Sequence, residues 1–152
     1  MSESKTINPK ILGRVYPATE AYTVGRESIR EFAQAVKATN QLHFDLAAAH
    51  QAGYPDLLAP PTYAILLAQK ADAALIQDPS AGIDFSRVVH ADQRFSLHRP
   101  IFAGDVLTTE VQVDKLRMIG QGAMLTTREE IRDQEGNPVV TCISSLLIRG
   151  ED

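Results

Sequence analysis

The chain has 152 residues, 44% hydrophobic and 22% charged, which fits one domain with a continuous core and excludes disorder on the scale of the whole chain. Fifteen Lys and Arg against nineteen Asp and Glu leave a formal net charge of -4, and the basic residues are scattered. This argues against a nucleic-acid backbone binder, which needs a concentrated basic face.

In chain order, residues 1–12 read as a flexible lead-in and residues 13–152 as the domain. Met1 to Gly13 lacks the apolar run of a signal peptide, so the cytoplasm is the expected compartment. Tyr22 to Val24 reads as a short strand. From Gly25 to about Ala38 the pattern is helical, with Ile29, Phe32, Ala33 and Val36 on one stripe. Ser28 and Glu31 have the spacing of a capping box. A second short helix covers Leu46 to Gln51, ended by Gly53 and Pro55.

Pro60-Pro61-Thr62 opens a third helix that should run from Thr62 to Gln77, roughly 24 Å at 1.5 Å per residue. Its residues are apolar nearly all round, so it should be enclosed rather than lie on a surface. Its greasiest stretch, Ile65 to Ile76, contains Lys70 and Asp72 and is too short to span a bilayer, so no membrane partner is expected.

Beyond Asp78-Pro79 the period changes to that of strands. These are expected over Val88 to Leu97, Leu107 to Asp114, Met124 to Arg132 and Val139 to Ile148, with a turn at residues 133–138. Strands joined by short turns give an antiparallel sheet, and one apolar helix followed by several long strands suggests a sheet curled around that helix. The class is α+β. Cys142, the one cysteine, excludes an intrachain disulfide and reads as a small buried hydrophobe in the last strand.

Several segments carry a resemblance by their order and spacing. They are Gly13-Arg14-Val15-Tyr16-Pro17, Phe32-Ala33-Gln34-Ala35-Val36, Asn40-Gln41-Leu42-His43-Phe44-Asp45, Leu58-Ala59-Pro60-Pro61-Thr62-Tyr63, Val88-Val89-His90-Ala91-Asp92-Gln93 and Arg99-Pro100-Ile101-Phe102-Ala103-Gly104-Asp105. From Gly13 to Gly150 the chain resembles the MaoC-like dehydratases of the N-terminal type, including partner subunits of actinobacterial (3R)-hydroxyacyl-carrier-protein dehydratases. The resemblance implies a single hot-dog domain, an antiparallel sheet wrapped around a long apolar central helix. It also implies a dimer or a paired double domain, acyl-CoA or acyl-ACP as substrate, and no metal or redox cofactor.

Interconverting 3-hydroxyacyl and trans-2-enoyl thioesters needs a base for water, an acid for the alpha carbon and a donor for the enolate-like oxygen. In active members of the family an Asp-x-Asn-Pro-x-His signature supplies the acid–base pair, and a Gly N–H at the start of the central helix supplies the donor. Here Asn40 and His43 match the Asn and His, but Ala38 stands at the Asp position and cannot carry a proton. Pro61 stands at the Gly position and has no N–H, leaving that of Thr62 as a substitute favoured by the helix dipole. His43 with Asn40, vestigial or supporting, are therefore the candidate catalytic residues, and Pro61, Thr62 and Tyr63 the candidate substrate-binding ones.

Asp45 is expected to cap the second short helix and Asp105 to be a turn residue. His50, His90 and His98 share no ligand-like spacing, so no metal site is expected. The favoured reading is a subunit of a heteromeric dehydratase or hydratase in fatty-acid metabolism, binding the acyl chain rather than acting alone. The alternatives are a self-sufficient hydratase using His43, a hot-dog thioesterase using Asp45, and a non-enzymatic acyl-thioester binding module.

Overall fold

The computed structural model describes residues 6–150. The elements run α1 (Arg26–Ala35), α2 (Leu46–Gln51), α3 (Ile65–Ile76), with strands β1 (Val15–Tyr16), β2 (Tyr22–Thr23), β3 (Val88–Leu97), β4 (Val106–Ile119), β5 (Gly122–Arg132) and β6 (Pro138–Ile148). The strands form a six-stranded sheet in the order β1-β4-β5-β6-β3, with β2 also on β4. Every pairing is antiparallel. The fold is α+β, a hot-dog arrangement of sheet around α3. The strand expected to stop at Asp114 continues to Ile119. Asp114 is the unpaired residue of a bulge between Val113 and Lys115, which interrupts the alternation without ending the strand.

Two apolar clusters fill the space between α3 and the sheet. One joins Tyr63, Leu67 and Ala68 to Ile29, Leu107, Ile131 and Val140, and the other joins Leu75 to Val113, Leu125 and Leu146. Cys142 is buried in the first, as expected of a small hydrophobe, and burial next to Glu129 and Asp72 pushes its thiol up to about 12.

Three expectations are corrected. The lead-in of residues 1–12 lies outside the described residues only as far as residue 5. From there Ile7 and Ile11 are buried in the second cluster, and the segment crosses so close to Gly82 (φ 71°) that a Cβ there would lie 2.0 Å from the Thr6 carbonyl oxygen. Arg14 and Tyr16 then bond Asp78 at 3.0 and 2.6 Å, fastening the strap across the far end of α3. Second, Ser28 does not box the N-terminus of α1. Gly25 is the cap, and the Ser28 hydroxyl bonds the Tyr63 hydroxyl instead at 2.8 Å. The helix also ends sooner than expected, so Val36 becomes the exposed C-cap rather than the end of the stripe.

Third, α3 is shorter than expected and enclosed on one side only. Residues 61–64 form turns that lead into it, and Gln69, Lys70 and Ala74 are exposed opposite the sheet.

Candidate functional site

The residues singled out by sequence lie around the N-terminal end of α3. Residues 41–43 form one 3-10 turn, capped by Asn40, whose side chain accepts the Leu42 N–H at 3.0 Å. The turn is tied to the segment before Pro60 by the Leu58 N–H donating to the Leu42 carbonyl. His43 is buried, and its Nδ1 lies 2.6 Å from the Leu58 carbonyl oxygen. A carbonyl can only accept, so Nδ1 donates its N–H and Nε2 is the ring nitrogen left outside that bond.

The described residues bring no carboxylate into hydrogen-bond contact with His43; its other close neighbour is the Phe44 ring at 6.3 Å. Ala38 sits after the left-handed Lys37 (φ 59°), and its N–H closes the end of α1 on the Ala33 carbonyl. Asp45 does not serve His43. It caps α2, accepting the Ala47 and Ala48 N–H groups at 2.9 and 3.4 Å.

At the helix start Pro60 is buried, while Pro61 and Thr62 are exposed. Among the described residues the Thr62 N–H has no hydrogen-bond partner, so it stands open at the positive end of α3. Tyr63 is fully buried, edge-on to Phe32 at 5.5 Å, with its hydroxyl near those of Ser28 and Tyr22. Burial raises its phenol, whereas hydrogen bonds from Ser28 and Tyr63, with Lys70 over the ring at 4.8 Å, lower that of Tyr22. Tyr63 packs in the first core cluster. Asp105 is a turn residue, gripped in a fork by Arg99 at 2.9 and 3.0 Å.

A second polar group lies farther along α3, where no motif pointed. Asp72 faces the sheet beside Glu129 of β5. The Thr127 hydroxyl donates to Glu129 at 2.6 Å, and Ser144 is 3.4 Å from its other oxygen. Burial, and then Asp72, push the Glu129 carboxyl up to about 10; burial likewise raises Asp72. A cavity of about 750 Å³ opens on this flank between α3, β3 and β6. Among the described residues no three His, Cys, Asp or Glu side chains are grouped to hold a metal ion, and no helix is long and apolar enough to cross a membrane.

Residues 10–142 match the family described as the FAS1-like dehydratase domain region. The chain belongs to this family. It is 52% identical over 144 residues to a UPF0336 protein of Saccharopolyspora erythraea, covering 95% of the one and 92% of the other. It is similar at 32% identity to a chain of the C-terminally truncated HadBC (3R-hydroxyacyl-ACP dehydratase) complex from Mycobacterium tuberculosis, with a TM-score of 0.80 over 90% of this chain and 96% of that one. A MaoC-like dehydratase aligns at 28% identity and a TM-score of 0.85 over 93% of this chain, which spans 43% of that longer chain. The resemblance read from the motifs is thus the family shown by these similarities.

The sequence motifs mark His43, Asn40, Pro61 and Thr62, on the segments before α3, and they miss Asp72 and Glu129. Two signals were present. Asp72 is the one carboxylate in α3, and Glu129 shares the parity of Leu125, Thr127 and Ile131, the inward face of β5.

Proposed function

We propose that this chain is the acyl-binding half of a heteromeric (3R)-hydroxyacyl-thioester dehydratase, acting in the cytoplasm in fatty-acid metabolism. The chemistry belongs to a partner hot-dog subunit with an intact acid–base pair. The observation that carries this reading is His43, which has its imidazole correctly polarised by Leu58 but no carboxylate to share the work, with Ala38 at the position where the family's aspartate stands. Hydration places a hydroxyl on C3 and a proton on C2, so one group must deprotonate water while a protonated acid serves C2. Removing one such group typically costs a factor of about 100 to 10,000.

The exposed surface supports the pairing. Strand β3 is an edge, bonded on one side only to β6, and carries exposed Val89 and Leu97 beside Phe85, which is 68% exposed. An open edge with exposed apolar side chains is a surface suited to a second layer. The similar HadBC chain is itself part of a dehydratase complex.

Hydration of a trans-2-enoyl thioester by the purified chain, alone and mixed with a candidate partner carrying the intact signature, tests the proposal. Turnover is expected only in the mixture. Robust turnover by the chain alone would overturn it and favour the self-sufficient reading, for which His43 Nε2, outside the bond to Leu58, and the open Thr62 N–H are the supporting features. In that case His43→Ala should abolish the activity.

A further inference from the structure

Strand β3 ends the sheet, bonded to β6 on one side only. In an antiparallel ladder alternate residues turn their backbone groups to opposite neighbours. The His98 N–H donates to the Val139 carbonyl and the Arg149 N–H to the Arg87 carbonyl, so the residues alternating with His98 and with Arg87 serve β6. Ala91, the extra residue of a bulge, separates the two series. Gln93, Phe95 and Leu97 on one side of it, and Val88 and His90 on the other, therefore turn their N–H and C=O groups to the open edge.

This order of residues is self-complementary. When the strand is set antiparallel against a second copy about Gln93, every open residue meets an open residue. Gln93 meets Gln93, Phe95 meets His90 and Leu97 meets Val88, with Ala91 left in its bulge. On the inward face exposed Leu97 then covers Val88, which packs on the second apolar cluster. On the outward face the same setting puts Asp92 opposite Arg94 of the second copy, twice by symmetry. Within one chain these two side chains lie 3.3 Å apart and are 55% and 77% exposed. In the pair each has an opposite charge along its own strand and another across the edge.

Other registers lose this match. A shift of one residue turns open backbone groups against groups already bonded to β6. Centring the pair on Phe95 keeps the backbone match but sets Arg94 opposite Ser96, with no carboxylate across from it.

We infer that β3 is an interface for a second copy of this chain, in a register selected by Asp92 and Arg94. The heteromeric reading gives the same edge to a partner subunit, and the inference goes beyond it: the two pairings exclude one another, so the partner has to displace a copy of the chain.

Sedimentation equilibrium of the full chain alone tests this, at low ionic strength because salt screens exposed charges. A dimer is expected. Arg94→Asp leaves only carboxylates at the centre of the pair and Asp92→Arg only guanidinium groups, so each variant should self-associate about tenfold more weakly or worse. Mixed in equal amounts, the two variants meet opposite charges again and should recover the parent affinity within about threefold. Thermal melting shows whether each variant folds; Leu97→Glu, which puts a charge into the apolar contact with Val88, replaces one that does not and should weaken the dimer similarly. A monomeric parent, unchanged association in a folded variant, or a mixture no tighter than its components would each overturn the inference. Because neither partner nor thioester is present, failure of the heteromeric reading would leave these results as they stand.

Discussion

The residues matched to the family motif lie on segments before α3, and there the chain keeps a histidine, bonded to Leu58, but has a methyl at position 38 and a ring nitrogen without hydrogen at position 61, where the resemblance calls for a carboxylate and an N–H. At the C-terminal half of α3 no motif designates anything, yet two carboxyl groups are buried there, Asp72 at the wall of a cavity and Glu129 of β5 behind it. Buried carboxyl groups are expensive, and the buried face of α3, otherwise made of Ala and Leu, would be better stabilised by an apolar residue at position 72. A motif records where relatives do chemistry; the unfavourable burial records where this chain keeps polar groups despite their cost. The two records point to opposite ends of one helix.

The largest effect should come from refilling the first end. Ala38→Asp with Pro61→Gly restores the carboxylate and the N–H that the resemblance calls for. The isolated double variant should hydrate a trans-2-enoyl thioester about 100-fold or more faster than the parent, followed by loss of enoyl-thioester absorbance. An unchanged rate would mean that this end lacks more than those two groups, and the contrast between the ends would then rest on the partner surface alone.

Next in size is the response of the second end to pH. Glu129 has an ordinary value of 4.5 when the chain is unfolded and is pushed up to about 10 when buried beside Asp72. Between those values the folded chain holds a proton that the unfolded chain gives up. The stability contributed by this group is therefore complete below about 4.5 and is lost as pH rises toward 10. Asp72 is shifted in the same direction, and the other titratable groups acting on this region are His90, Glu130 and Cys142. Glu129→Gln keeps the shape without the titration. It should gain about 1–3 kcal/mol over the parent at pH 8.5 and little at pH 5.5, as read by urea unfolding. Parallel pH dependences in the two proteins would remove the buried proton from the account.

These two tests also mark what was legible. The helix stripe of Ile29 and Phe32, the turn at residues 133–138, the Asp45 cap and the long apolar helix were all readable, because each depends on local spacing or on one residue's bond to its own neighbours. The strap of Ile7 and Ile11 was not, since its burial depends on a partner surface made by residues far along the chain at Gly82, Val113 and Ile148. The Asp72–Glu129 pair was half legible. Each residue breaks an apolar face in its own element, but only the packing of α3 on β5 brings the two breaks together. The Ser28–Glu31 spacing misled for the converse reason: a tertiary partner, Tyr63, outbid a local one for the Ser28 hydroxyl.

The smallest effect concerns the backbone that leads into the first end. Lys37 is exposed and left-handed (φ 59°), a conformation in which an L side chain crowds its own carbonyl. Its N–H still donates to the Gln34 carbonyl and the next N–H to that of Ala33, so the turn is fixed by the end of α1 and not by the lysine side chain. Glycine adopts this geometry without crowding, although it loses more freedom on folding. Lys37→Gly should therefore stabilise the chain by about 0.5–1 kcal/mol in denaturant unfolding. If position 38 is held by the backbone turn alone, adding Lys37→Gly to the Ala38→Asp, Pro61→Gly protein should leave its hydration rate unchanged. A fall in that rate would mean that the strained lysine helps to aim the restored carboxylate, and the first end would then owe its geometry to a side chain on its surface.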